Sequence, residues 1–114
     1  REIKQEMKLD AIEWERMWNV LSSLEKAVLA FYVYNNFLDI REIKEKIVTF
    51  SGQNISFTSI RQTLNNLIWY GLLEENPKGG YSLTAVLVCD WLKINIYYPE
   101  EVQEFFINYR NEIK

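Results

Sequence analysis

Residues 64–84, LNNLIWYGLLEENPKGGYSLT, constrain the fold more than any other stretch of this chain. Leu64, Leu67 and Ile68 recur at helical spacing as far as Gly71, which stands where a helix ends in left-handed backbone. Two short, partly alternating runs follow at once, Leu72 to Asn76 and Tyr81 to Thr84, on either side of Pro77-Lys78-Gly79-Gly80. Proline fixes one backbone angle and the glycines permit positive ones, so the two runs predict a tight β-hairpin. A helix that passes directly into a hairpin leaves few architectures open.

The segments before it are helical. Ile3, Met7, Trp14, Trp18 and Leu21 share one face of a helix over residues 2–21, with a break near Asp10. Ser22 and Glu25 match a capping box that starts a second helix running to about Asn35, with Leu24, Ala27, Val28 and Phe31 as its buried stripe. Asp39 is a good N-cap for a third helix to Phe50, lined by Ile40, Ile43 and Ile47. After the SGQN loop, Ser56 or Thr58 caps a fourth helix over 56–70 with Phe57, Ile60, Leu64, Leu67 and Ile68 facing inward. Beyond the hairpin, Thr84 caps the helix AVLVCDWLKI. Pro99 takes the first helical position of a last helix with Glu100 and Glu101 at its positive end and Val102, Phe105, Phe106, Tyr109 and Ile113 on one side.

Three helices at 23–35, 39–50 and 56–70 followed by a hairpin are the element order of a winged helix-turn-helix. The expected fold is therefore mainly α: a three-helix core plus a short β-hairpin wing, with extra N- and C-terminal helices. With 114 residues and no internal repeat or low-complexity linker, a single domain over 1–114 is expected, divided into an N-terminal helix (1–21), the core (22–84) and C-terminal helices (85–114).

The residue inventory argues against catalysis. Histidine, the usual neutral-pH acid and base and the commonest metal ligand, is absent, and one cysteine without clustered carboxylates makes no zinc site. KGGYS lies in neither a P-loop nor a dinucleotide-binding glycine pattern, and Glu74 and Glu75 alternate across a strand. Neither enzyme activity, nor cofactor, nor metal is expected. Cys89, in AVLVCDWL, reads as a buried thiol in a reducing interior. No stretch reaches the roughly 20 apolar residues that span a bilayer, so no membrane role is expected and the cytoplasm is the expected location. The start at Arg1 without methionine suggests a segment of a longer chain.

Two binding roles remain. On the fourth helix, Thr58, Ser59, Arg61, Gln62, Asn65 and Asn66 lie opposite the apolar stripe; arginine suits guanine, and glutamine or asparagine suits adenine. Lys78 at the hairpin tip can reach a phosphate. Only Arg61 and Lys78 are basic there, and with a net charge of -3 and a pI near 5.0 the chain alone should bind duplex DNA weakly, needing a homodimer or a larger chain. Lys44 and Lys46 alternate with Glu42 and Glu45 as on an ordinary solvated face. The four tryptophans, seven tyrosines and six phenylalanines open a second role, protein interaction through Trp69, Tyr70, Tyr97 and Tyr98. The same rings can instead seal the terminal helices onto the core, and the residues alone leave both open.

Tyr-Gly-Leu-Leu at a helix end, a charged strand, a glycine turn, Tyr-x-Leu-Thr and a helix bearing Trp-Leu together resemble the C-terminal winged-helix region of archaeal P-loop ATPases of the AAA+/STAND type, over residues 22–95. That resemblance implies a non-catalytic accessory domain that packs on an ATPase module or contacts nucleic acid, with the nucleotide site elsewhere. The alternative is a stand-alone, dimeric DNA-binding transcriptional regulator.

Overall fold

The computed structural model describes residues 10–112, and within them the chain is mainly helical, with one two-stranded antiparallel sheet. Helix α1 (Ala11–Val20) begins where Asp10 accepts a hydrogen bond from the Glu13 N–H at 2.8 Å, so the expected break is a true helix start. Ile3 and Met7 lie outside the described residues.

Helix α2 (Ser23–Ala30) starts with the expected capping box: the Ser22 hydroxyl accepts from the Glu25 N–H at 3.1 Å and the Glu25 carboxylate accepts from the Ser22 N–H at 3.0 Å. It is shorter than expected. Its last turn tightens into a 3-10 turn over Phe31–Val33, closed by the Asn35 amide donating to the Phe31 carbonyl at 2.8 Å. Helix α3 (Ile40–Ser51) has a second capping box, Asp39 with Glu42, and ends at Gly52 with φ 71°. Ile43 and Ile47 are fully buried on its inner face, with Ile40 and Phe50 packed at the margin.

Helix α4 (Phe57–Trp69) is capped by Ser56, not Thr58, through the Ser59 N–H at 3.1 Å. Ile60, Leu64 and Leu67 are buried as expected. Phe57 departs from the inward stripe. As the first helical residue it sits beyond the end of the core, and its exposed ring lies 4.3 Å under the Lys44 ammonium of α3. Thr63 is buried instead, beside Leu64, and its hydroxyl donates to the Ser59 carbonyl at 3.0 Å, so it is buried without an unmet bond.

Gly71, with φ 81°, ends α4 in a Schellman turn: its N–H reaches the Ile68 carbonyl and the Leu72 N–H the Leu67 carbonyl, both at 2.9 Å. Strands β1 (Leu73–Glu75) and β2 (Tyr81–Leu83) pair antiparallel, with Leu73 opposite Leu83 and Glu75 opposite Tyr81. The ladder extends one step further through the Thr84 N–H to the Leu72 carbonyl at 3.1 Å. On its other edge β2 forms a bridge to Leu38, just before α3: the Leu38 N–H donates to the Tyr81 carbonyl at 3.1 Å and the Tyr81 N–H to the Leu38 carbonyl at 2.8 Å. The Tyr32 hydroxyl donates to the same Tyr81 carbonyl at 2.9 Å.

Helix α5 (Val86–Asn95) corrects the expected Thr84 cap. Ala85 occupies the N-cap position without a side-chain bond, because the Thr84 hydroxyl donates to the Gly71 carbonyl across the base of the hairpin. Pro99 immediately precedes α6 (Glu100–Glu112) and accepts its first intrahelical bond from the Gln103 N–H at 3.1 Å, one position earlier than expected. The last turn of α6 is fastened twice: Arg110 donates to the Ser51 carbonyl at the end of α3 at 3.0 Å, and Glu112 accepts from the Ser23 hydroxyl at 2.7 Å. Ile113 lies outside the described residues.

The buried side chains form one cluster that includes the terminal helices. Trp14 and Trp18 of α1 meet Trp91 of α5 at 5.5 and 5.2 Å between ring centroids, and Trp18 meets Phe105 of α6 at 5.8 Å. Phe31, Phe50 and Phe106 stack at 6.0 to 6.3 Å and join α2, α3 and α6.

The Phe37 ring occupies the space a side chain at Gly80 would need, whereas nothing crowds Gly79; both have φ above 90°. Gly79→Ala should cost only the left-handed backbone penalty of about 1–2 kcal/mol, and Gly80→Ala clearly more, as read by urea unfolding. Burial, and then the neighbouring Tyr81 and Glu42, push the Tyr32 hydroxyl well above its ordinary value. The folded state therefore holds this proton where the unfolded chain has released it, and stability falls as pH rises beyond about 10. Tyr32→Phe should flatten that alkaline loss and cost about 1 kcal/mol at neutral pH through the missing bond to Tyr81; unfolding curves at pH 7 and above pH 10 test both.

Candidate nucleic-acid interface

Because α4 buries Ile60, Leu64 and Leu67, its opposite face must meet solvent, and Thr58, Gln62, Asn65 and Trp69 repeat there at four, three and four residues, forming a single line along the helix. Arg61 flanks that line. Thr58, Ser59, Arg61, Gln62 and Asn65 are all exposed, as is Lys78 at the hairpin tip. Ser59 is partly committed, since its hydroxyl accepts from that of Ser56 at 3.1 Å. Asn66 is exposed as well, but its amide is engaged, donating to the Glu25 carboxylate of α2 at 3.2 Å.

Arg61 lies toward the hairpin. Burial pushes the Tyr81 hydroxyl up, Glu75 adds to the rise and the positive charge of Arg61 opposes it, so all three act in one local field near the turn-proximal start of β2. The hairpin tip is pinned by its own backbone. The Asn76 N–H meets the Gly80 carbonyl at 2.8 Å, and the Asn76 side chain accepts from the Lys78 N–H at 3.0 Å. Lys78 is thus held at the apex, while Glu74 and Glu75 are exposed on the strand leading to it.

The two flanks of α4 differ in charge. On the side toward α2 and α6, a groove of about 290 Å³ is lined by Ser22, Glu25, Ser59, Gln62, Asn66 and Glu112. Its two carboxylates repel phosphate. Toward α3 and the hairpin stand Lys44 and Arg61. Glu74 and Glu75 of β1 offset those two cations, so neither flank of α4 is a continuous cationic track for a polyanion.

The aromatic candidates divide. Trp69 is 85% exposed, Tyr97 78% exposed, and Tyr70 exposed at the end of α4. Tyr98 is half-buried, with Tyr34 edge-on at 5.3 Å and Phe50 at 5.7 Å, and differs from the expected free contact because α6 folds back beside α3. Trp14, Trp18 and Trp91 are internal or packed on the core, so for three tryptophans the sealing role is the observed one. Trp69 belongs to the same line as Gln62 and Asn65, a membership that the four-three-four spacing makes legible in the sequence.

Among the described residues there is no group of three or more His, Cys, Asp and Glu suited to a metal ion, and no helix is long and apolar enough to cross a membrane. Cys89 is half-buried rather than fully buried, on the wall of a shallow groove with Tyr32, Leu83 and Val86.

With Trp69 the outlying tryptophan, acrylamide quenching should be dominated by it, and Trp69→Phe should lower the quenching slope and shift the remaining emission to the blue. An unchanged slope would contradict the exposure of this ring. Comparison of the chain with protein-family models, with curated proteins and with solved structures yields no match.

Proposed function

We propose that the chain is a non-catalytic winged-helix module that reads duplex DNA with α4 and steadies itself on a phosphate with the hairpin as its wing. In this reading α2, α3 and α4 are the three-helix core, and the isolated Leu38 bridge to Tyr81 ties the wing to the segment between the first two core helices. The observation that carries the proposal is the outer face of α4, where Arg61, Gln62 and Asn65 all stand exposed to solvent. Their hydrogen-bonding groups match base edges in the major groove. Lys78 is the phosphate contact.

With a net charge of -3 the chain has little non-specific attraction for DNA, so affinity depends on the base contacts and on a second binding unit. A neighbouring ATPase module, as the resemblance to archaeal P-loop ATPases implies, or a second protomer, as in a dimeric regulator, supplies that unit. The 85% exposure of Trp69 favours a protein partner at the far end of α4, since a large ring left in water is a typical anchor where proteins meet.

Anisotropy titration of a labelled duplex pool at low salt tests the reading. Arg61→Ala should weaken binding by about tenfold or more, and Lys78→Ala should lower the salt dependence by about one released counterion. Equal affinity of wild type and Arg61→Ala would remove the proposed readout. For the protein partner, sedimentation of wild type and Trp69→Ala should differ in self-association if the second unit is another copy of the chain.

A further inference from the structure

Helix α5 is apolar on two sides. Its inner side buries Val88 and Leu92 completely, and its outer side carries Val86, Asp90, Lys93 and Ile94 at spacings of four, three and one. Val86 is 75% exposed and Ile94 81%, and Tyr97 stands exposed just past the helix end. Single apolar residues on a surface are ordinary, but a helix apolar around most of its girth normally has a partner on each side. Asp90 and Lys93 are the only charges in VLVCDWLKIN; they are opposite in sign and both lie on the open side.

We propose that a second copy of this chain covers the outer side of α5, the two helices lying antiparallel about a two-fold axis that passes between residues 91 and 92. The order of the residues selects this occupant, because a two-fold contact must be complementary to itself. An axis at that level sets Asp90 opposite the partner's Lys93, and Lys93 opposite the partner's Asp90, so every charge on the strip meets its opposite. The same operation brings Val86, at the start of one helix, to the partner's Tyr97, at the end of the other, and keeps Ile94 inside the strip between them. A parallel pair instead sets like charges side by side. The Tyr34 ring, which lines one shallow groove with Lys93, widens the apolar margin. With a helix of ten residues the contact is small, so the association is weak and depends on concentration. The proposal does not depend on DNA binding, and it makes no use of Trp69.

Sedimentation velocity of the full chain over a concentration series tests it. Wild type should pass from monomer to dimer as the concentration rises. Asp90→Lys gives each strip two cations and Lys93→Asp gives each two carboxylates, so either variant alone should associate about tenfold more weakly or worse. An equimolar mixture of the two should associate about as wild type does, because each cation then meets a carboxylate. Both positions are exposed, so neither exchange disturbs the core. A wild type that stays monomeric, single variants that associate as wild type does, or a mixture no better than its components overturns the proposal. Association lost in Trp69→Ala and untouched by the charge exchanges overturns it in favour of a contact at the end of α4.

Discussion

The Tyr81 main chain is the point on which the arrangement turns. Its carbonyl receives the Leu38 N–H and the Tyr32 hydroxyl, and its N–H returns a bond to Leu38, so one residue of β2 holds the segment before α3 and the end of α2 together. An isolated two-stranded hairpin is marginal in water. Here it is also anchored at its other edge, where Gly71 closes α4 and Thr84 bonds back to the Gly71 carbonyl. The hairpin is therefore fixed to α4 at its root and to the α2–α3 connection at its flank.

That double anchoring gives the outer face of α4 a defined neighbour. The charge of Arg61 acts on the Tyr81 hydroxyl against that of Glu75, and Lys78 projects from a turn locked by Asn76. The terminal helices complete the body: the tryptophans of α1 and α5 interlock, and α6 is pinned at its last turn to the start of α2 and the end of α3. The aromatic richness of the chain is thus spent mainly on holding its ends to its middle. Trp69, Tyr97 and Tyr34 are the most exposed of the rings left on the outside, with Phe37, Phe57 and Tyr70 less so.

What was legible in the sequence is what local chemistry decides. The Ser22–Glu25 capping box, the Asp39 cap and the Gly71 stop each depend on residues within one turn of one another, and each stands where its spacing put it. The outward set on α4 followed from periodicity alone. Local pattern failed where a distant group competed for the same atoms. Thr84 is drawn from its cap to Gly71, Asn66 is taken up by Glu25 across 41 positions of sequence, and Tyr98 is covered by rings from two other segments. The Leu38 bridge is a single pair of residues with no strand pattern around it, and only the folded chain brings it to β2.

Glu25 has a further consequence. One oxygen of this carboxylate, in a residue only 6% exposed, closes the start of α2 and the other holds the Asn66 amide on α4. Two helices thus share a single charged latch. Drawing α4 away from α2 would leave that second oxygen of a nearly buried carboxylate without its donor, so the cap of one rod and the seating of the next depend on the same side chain.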